Sequence, residues 1–246
     1  MTNNQTEMSL IGHIEELRKR LLVSLIALMV AVAVSLIFGD QMVKLLTLPI
    51  GGLQKLQSIE ITENLGVYMR VSLLGGVILA SPVILYELFL FILPGLKPGE
   101  KKYILFSIPL ATIFFVGGVA FAFLVMLPAA LPFLTNFLGV QTNPRLSSYI
   151  SFVTNLLFWV GVSFELPLFI YVLARFGMVT PKGLIKYWRQ AIVLIAILAA
   201  VITPTVDPIN MSLMMAPLVG LYFISILFAW LARRGKPDAP ATEGKD

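Results

Sequence analysis

The 246-residue chain has no cysteine and a single histidine, His13. The first absence excludes disulfides, thiolate metal sites and cysteine nucleophiles. The second excludes any mechanism that needs two imidazoles. Charge is scarce as well: 13% of residues are charged against 58% hydrophobic, and mean hydropathy is strongly positive. That balance belongs to a chain whose solvent is lipid. Short segments of strictly alternating polarity, the mark of a membrane β-barrel, are also missing.

Long apolar runs take their place. A hydrocarbon layer of roughly 30 Å needs about 20 residues of helix, and six runs qualify as spans: 21–38, 67–91, 103–127, 149–176, 188–202 and 210–231. The expected fold is all-α, a polytopic membrane protein with six transmembrane helices. Residues 1–20 are expected to form a cytoplasmic amphipathic segment, 21–231 the transmembrane domain, and 232–246, with the polar sequence GKPDAPATEGKD, a disordered tail. Ala31 and Ala33 mimic a signal-peptidase site. However, some twenty mostly polar residues precede the first run and it continues apolar through VSLIF, which favours a span. Span five is about 15 residues, roughly 22 Å by helical rise. TPTVDP (203–208) turns it directly into span six, so this hairpin is expected to stop short of the far surface and thin the bilayer locally.

The net charge of +5 is distributed between spans. Arg18, Lys19 and Arg20 precede span one; Lys97, Lys101 and Lys102 separate spans two and three; Arg175, Lys182, Lys186 and Arg189 flank the turn between four and five; Arg233, Arg234 and Lys236 follow six. The opposite loops hold Lys44, Lys55 and Arg145. By the positive-inside rule both termini are cytoplasmic. The basic residues set topology, and nucleic acid is not an expected partner.

MSLIGHIEELRKRLL sets Leu10, Ile14, Leu17 and Leu21 at helical spacing with Glu16 and Arg20 on the polar side, an amphipathic helix leading into span one. Glu16 can pair with Arg20, and Glu15 with Lys19, as ordinary i,i+4 bridges. Glu100, in LPGLKPGEKKY, can simply favour a helix N-terminus. Alternatively, Glu16 and Glu100, both on the cytoplasmic side, can receive guanidinium groups from a partner through charge-assisted hydrogen bonds. Spacing leaves both readings open. EELRKR also fits a Glu-Glu-x-x-x-Arg metalloprotease pattern, but the histidines such a site needs are lacking.

In FWVGVSFELPLFIYVL (158–173) a carboxyl group, Glu165, lies in the middle of an apolar span. Ser151, Asn155, Phe158, Val162 and Glu165 share one helical face, which is expected to look into the bundle, a wet cavity or another polar helix. Glu165 is either a protonated, hydrogen-bonded structural group or a functional one, intramembrane ionisable residues being functional by default. Pro167 just beyond it frees backbone groups and can kink the span.

Taken together, HIEELRKR, SPVILYELFLFILPGLKPGE, YISFV with GVSFELP, and TPTVD, in this order and spacing from His13 to Trp230, resemble the TatC family, the multispanning subunit of twin-arginine protein translocases. The resemblance implies a concave helix bundle in the bacterial inner membrane that receives folded precursors bearing twin-arginine signal peptides. It also implies single-span TatA/TatB-type partner subunits, assembly into an oligomeric receptor complex, and energy from the proton-motive force. It puts signal-peptide binding at Glu16 and Glu100, with Glu15 the neighbour and not the matching position, and a partner-helix contact at Glu165. Lys101 and Lys102 work against the attraction at Glu100. No catalytic residue, cofactor or metal is implied. The chain departs from the family pattern at Glu87, where glutamine is usual, at Phe223, where many members carry glutamate, and at Leu65, where phenylalanine is common. Glu87, near the cytoplasmic end of span two, is expected to snorkel. The competing function is a proton-coupled secondary transporter with Glu165, and Glu87 beside it, as relay; no internal repeat supports it.

Overall fold

Lipid offers no partner to a free backbone amide, so an apolar run must close its own N–H to C=O ladder. The computed structural model of the protein describes residues 10–92, 101–136, 144–202 and 208–233. Within them the fold is all-α, as expected. Five helical stretches are long and apolar enough to cross a membrane: Gly12–Ile37, Glu63–Phe91, Ser107–Pro132, Leu146–Arg175 and Met211–Arg233. A shorter apolar helix covers Trp188–Val201. The loop bearing Lys97 and Glu100, the turn 203–207 and the tail from 234 lie outside the described residues.

The chain divides after Phe158 into two compact units. In the first, α1 (Leu10–Ile37) runs unbroken from the amphipathic segment into span one. A short α2 (Gly39–Thr47) follows, with Leu46 and Thr47 buried, then 3₁₀ turns at Leu48–Ile50 and Leu53–Lys55. Next come α3 (Glu63–Ile92), α4 (Lys101–Phe121), a π-helical turn at Ala122–Met126, α5 (Leu127–Asn136) and α6 (Leu146–Phe164). Span three thus continues well past the expected residue 127. The second unit holds α7 (Leu166–Arg175), α8 (Pro181–Lys186), α9 (Trp188–Ile202) and α10 (Pro208–Arg233).

Only 6% of the apolar window of α1 is buried inside the protein. Leu21, Leu25, Met29 and Ile37 point outward, a surface suited to acyl chains and incompatible with water. What holds α1 is its crossing with α3, made possible by two glycines. A Cβ on Gly76 would lie 2.3 Å from Val32 Cγ2 and 2.8 Å from Val32 Cα, and one on Gly75 would lie 2.3 Å from Ser35 Oγ and from the Met42 methyl. Small residues let helix backbones approach closely where dispersion, and not water exclusion, drives association. The Tyr68 hydroxyl donates to the Leu36 carbonyl beside this crossing. Farther along α3, Pro82 has no N–H for the Ile78 carbonyl, and the Ser81 hydroxyl donates to that oxygen at 2.8 Å instead. The helix therefore tolerates its proline.

In the second unit α10 packs chiefly on α7. Ala174, Ala229 and Ala232 are buried where they meet, with Ile170, Tyr171 and Leu184 packed around them. The Tyr171 and Phe228 rings meet edge to face at 6.4 Å. Arg175 Nη1 donates to the Ala232 carbonyl at 2.9 Å, placing a cation at the C-terminal end of α10 where the helix dipole favours it. Gly177, at φ +80°, ends α7 in the left-handed conformation, and Thr180 caps α8 by accepting from Gly183 N at 2.9 Å.

The close crossing makes a prediction. Gly76→Leu should sharply lower the thermal midpoint of the detergent-solubilised protein. Gly66→Ala, whose Cβ would meet nothing within 4 Å, should leave it unchanged or slightly higher. Equal midpoints for both variants would show that the packing of α1 on α3 does not depend on the glycine.

Candidate functional site

The N-terminal third of α1 lies against the C-terminal end of α3. His13 stacks on Phe91 with ring centroids 4.5 Å apart. Further along α1, the guanidinium of Arg20 is divided between two helices. Its Nη1 donates to Glu87 Oε2 on α3 at 2.9 Å, and its Nη2 to Glu16 Oε1 on α1 at 3.3 Å. The Glu16–Arg20 bridge expected from i,i+4 spacing is therefore present, as one half of a three-member cluster.

Glu87 does not snorkel. Its side chain is 9% exposed, against 15% for Glu16 and 26% for Arg20, because a cation from the neighbouring helix satisfies it in place. Sequence reasoning treated Arg20 as a local partner and topology marker and expected Glu87 to snorkel. Since 67 residues separate the pair, only helix register could have revealed it. Among the described residues, two carboxylates and one guanidinium leave the cluster one negative charge in excess. Beside it lies a cavity of about 190 Å³ lined mostly by apolar side chains, including Leu17, Leu21, Ile84 and Leu88, which weakens screening of these charges. Glu16 Oε2 is buried and, among the described residues, accepts no hydrogen bond.

The other expected residues stand as follows. Glu100 lies outside the described residues. Glu165 occupies the interruption between α6 and α7, partly buried. Its N–H bonds the Val162 carbonyl at 3.1 Å, a tighter i to i−3 closure, and its carbonyl accepts from Phe169 N at 2.9 Å. Pro167 supplies no N–H to continue the ladder of α6, so the span breaks where the acid sits. On the same face of α6, the Ser151 hydroxyl accepts from Arg70 on α3, while Asn155 is exposed.

A second polar cluster ties the segments at the opposite end of α3. Glu63, 5% exposed, accepts from Ile59 N at 2.9 Å and Glu60 N at 3.3 Å through Oε2, and from Ser147 N at 2.7 Å through Oε1. One carboxylate thus serves the N-terminal ends of both α3 and α6. Arg145 Nε lies 3.2 Å from Glu63, and its Nη2 lies 2.7 Å from Glu60. The Glu60 carboxylate, then that of Glu63, raises the pKa of the Arg145 guanidinium above its ordinary value, so it stays charged. Backbone bonds from Gln57 N to the Pro144 carbonyl and from Leu146 N to the Gln57 carbonyl complete the clasp, and the Tyr149 hydroxyl donates to the Leu46 carbonyl at 2.8 Å.

All-helical spans, with ionisable groups gathered where helices meet or end, define a polytopic α-helical membrane protein. Comparison with known proteins narrows that class. Residues 12–217 match the family model described as Sec-independent protein translocase protein (TatC). The protein of that name from Carboxydothermus hydrogenoformans is 39% identical over 225 residues, covering 90% of this chain and 93% of the relative. Its counterpart from Deinococcus radiodurans is 36% identical over 238 residues, covering 93% and 88%. A crystal structure of the twin-arginine translocase receptor TatC superimposes with a TM-score of 0.80 at 35% identity, over 90% of this chain and all of that one. The chain belongs to the TatC family of Sec-independent protein translocase components.

The clasp predicts a difference between two neighbouring acids. Glu63→Ala strands three backbone donors and should lower the thermal midpoint by several degrees. Glu60→Ala, with a side chain 63% exposed, should shift it far less. Comparable shifts would refute the buried-acceptor role of Glu63.

Proposed function

We propose that the chain is the receptor subunit of a twin-arginine translocase. It binds the signal peptides of folded precursors at its cytoplasmic face through Glu16 and Glu100, and recruits single-span partner subunits for export driven by the proton-motive force. The observation that carries this reading is Glu16 itself, a carboxylate held at the α1–α3 junction with one oxygen on Arg20 and the other buried without a donor among the described residues. Arginine suits such a site because it never loses its charge and its planar fork can meet two oxygens at once; lysine offers a point charge. Family membership supports the assignment to this transport system.

Both termini and the polybasic loops lie on the cytoplasmic side of a bacterial inner membrane in this reading, following the bias of Lys and Arg. Residues 1–20 form the cytoplasmic approach to the membrane domain 21–231, and 232–246 a solvated tail. Glu165 is assigned to a contact with a polar side chain on a partner's span. Its place at an interrupted helix, inside a stretch otherwise apolar enough to cross the membrane, supports that role.

The test is photo-crosslinking of a twin-arginine signal peptide, and of a twin-lysine control, to the protein in lipid. The twin-arginine peptide should crosslink preferentially, and Glu16→Gln and Glu100→Gln should each weaken its binding by roughly ten- to a hundredfold, the scale of a lost hydrogen bond to a charged group. Equal capture of both peptides would refute the receptor assignment, and unchanged capture by both variants would remove Glu16 and Glu100 as its site. Glu165→Gln should leave capture near normal and reduce co-purification of the single-span partners. Normal assembly and transport in that variant would return Glu165 to a purely structural role.

A further inference from the structure

The Arg20 cluster poses a problem for any site that binds guanidinium at Glu16, because a guanidinium is already there. An i,i+4 pair of Glu16 and Arg20 alone would be neutral, and the internal arginine would compete directly with a ligand's. Glu87 changes that balance. The shorter bridge of Arg20 is with Glu87, at 2.9 Å, and the longer with Glu16, at 3.3 Å. Glu87 is also the more buried acid, so its charge has less access to water and stronger need of a permanent partner.

We propose that Glu87 is a positioning residue for twin-arginine recognition: it holds Arg20 on α3 and so leaves the charge and the second carboxylate oxygen, Oε2, of Glu16 for the arriving guanidinium. The inference rests on the receptor reading given above. Three observations support it independently of that reading. Among the described residues, the cluster has one negative charge more than it has positive. Glu16 engages Arg20 through Oε1 alone, and its Oε2 is buried without a donor among those residues. Finally, the register that brings Glu87 to Arg20 is set by the glycine crossing and the His13–Phe91 stack, so the pairing is part of the helix packing. An incoming arginine then need not expel Arg20 into the apolar cavity. It completes a four-member array of alternating charge, in which Arg20 remains on Glu87 and Glu16 turns to the ligand.

Removing Glu87 should let Arg20 settle fully on Glu16. Removing Arg20 as well should release Glu16 again. The experiment is equilibrium binding of a synthetic twin-arginine signal peptide, with its twin-lysine counterpart as control, to full-length protein in nanodiscs. The proteins compared are the wild type, Glu87→Gln and the double variant Glu87→Gln with Arg20→Gln, each checked by thermal midpoint. Glu87→Gln should bind the twin-arginine peptide about tenfold more weakly than the wild type, and the double variant should recover to within about threefold of it. A purely structural role for Glu87 predicts no such recovery.

If the wild type fails to prefer twin arginine, the receptor reading falls and this inference with it. If the wild type discriminates but Glu87→Gln binds as tightly, or the double variant stays as weak as the single, the receptor reading stands and the role of Glu87 is overturned. Should Glu87→Gln alone not fold, the double variant, whose cluster keeps the net charge of the wild type, still decides, since binding about tenfold weaker than the wild type would refute the proposal.

Discussion

The approach of Val32 to Gly76 is the constraint from which the rest of the first unit follows. α1 leaves most of its apolar surface uncovered by the rest of the protein and, in a membrane, cannot be located by burial of apolar area, because hydrocarbon outside is as favourable as hydrocarbon inside. Its position must come from close packing and polar contacts. From Val32 to Arg20 is roughly 18 Å of helix, and from Gly76 to Glu87 roughly 16.5 Å at about 1.5 Å per residue. Because the two helices run in opposite directions, one close crossing sets charged groups from both at the same level. A side chain at position 76 would separate the helices and, with them, Arg20 from Glu87.

The two ends of α3 handle charge differently. At the Glu63 end, the acid is saturated: three backbone N–H groups and Arg145 occupy its oxygens, and its location at two helix N-termini makes the negative charge favourable without any further partner. Such a group fastens loops and has little left to offer a ligand. At the Glu87 end, among the described residues, the acids exceed the base, and one carboxylate oxygen lacks a donor. The same residue type therefore serves as a fastener in one place and as an acceptor in the other, the difference lying in how many donors the surrounding backbone supplies.

The six apolar runs were legible because the membrane imposes a length and a hydropathy on any helix that crosses it, and each run is largely helical in the structure. The interruption at Glu165 was half legible, since Pro167 announces it, though the tight closure onto Val162 is a backbone detail. The amphipathic α2, inside what reads as a loop, was missed because its nine residues are too short to stand out from their surroundings. The π-helical turn at Ala122–Met126 has no marker in composition. For the candidate site, Glu16 and its local bridge to Arg20 follow from i,i+4 spacing alone. The partnership with Glu87 does not, because an acid near a span's end looks the same whether it reaches for water or for a cation on another helix. Only the glycine pair, read as a close-packing surface, hints at which helix comes near.

A cluster assembled around an internal guanidinium also bears on ligand choice. The Arg20 fork reaches carboxylates on two helices with two different nitrogens, an arrangement a single ammonium point cannot reproduce with the same geometry. Carboxylates fixed at the spacing that suits one fork are poorly arranged for a compact, strongly hydrated cation, which would have to shed water without recovering two directed bonds. The apolar cavity beside them makes that dehydration more costly still. That fit keeps the internal guanidinium in place, so the arriving group is met by Glu16 and not between the two acids.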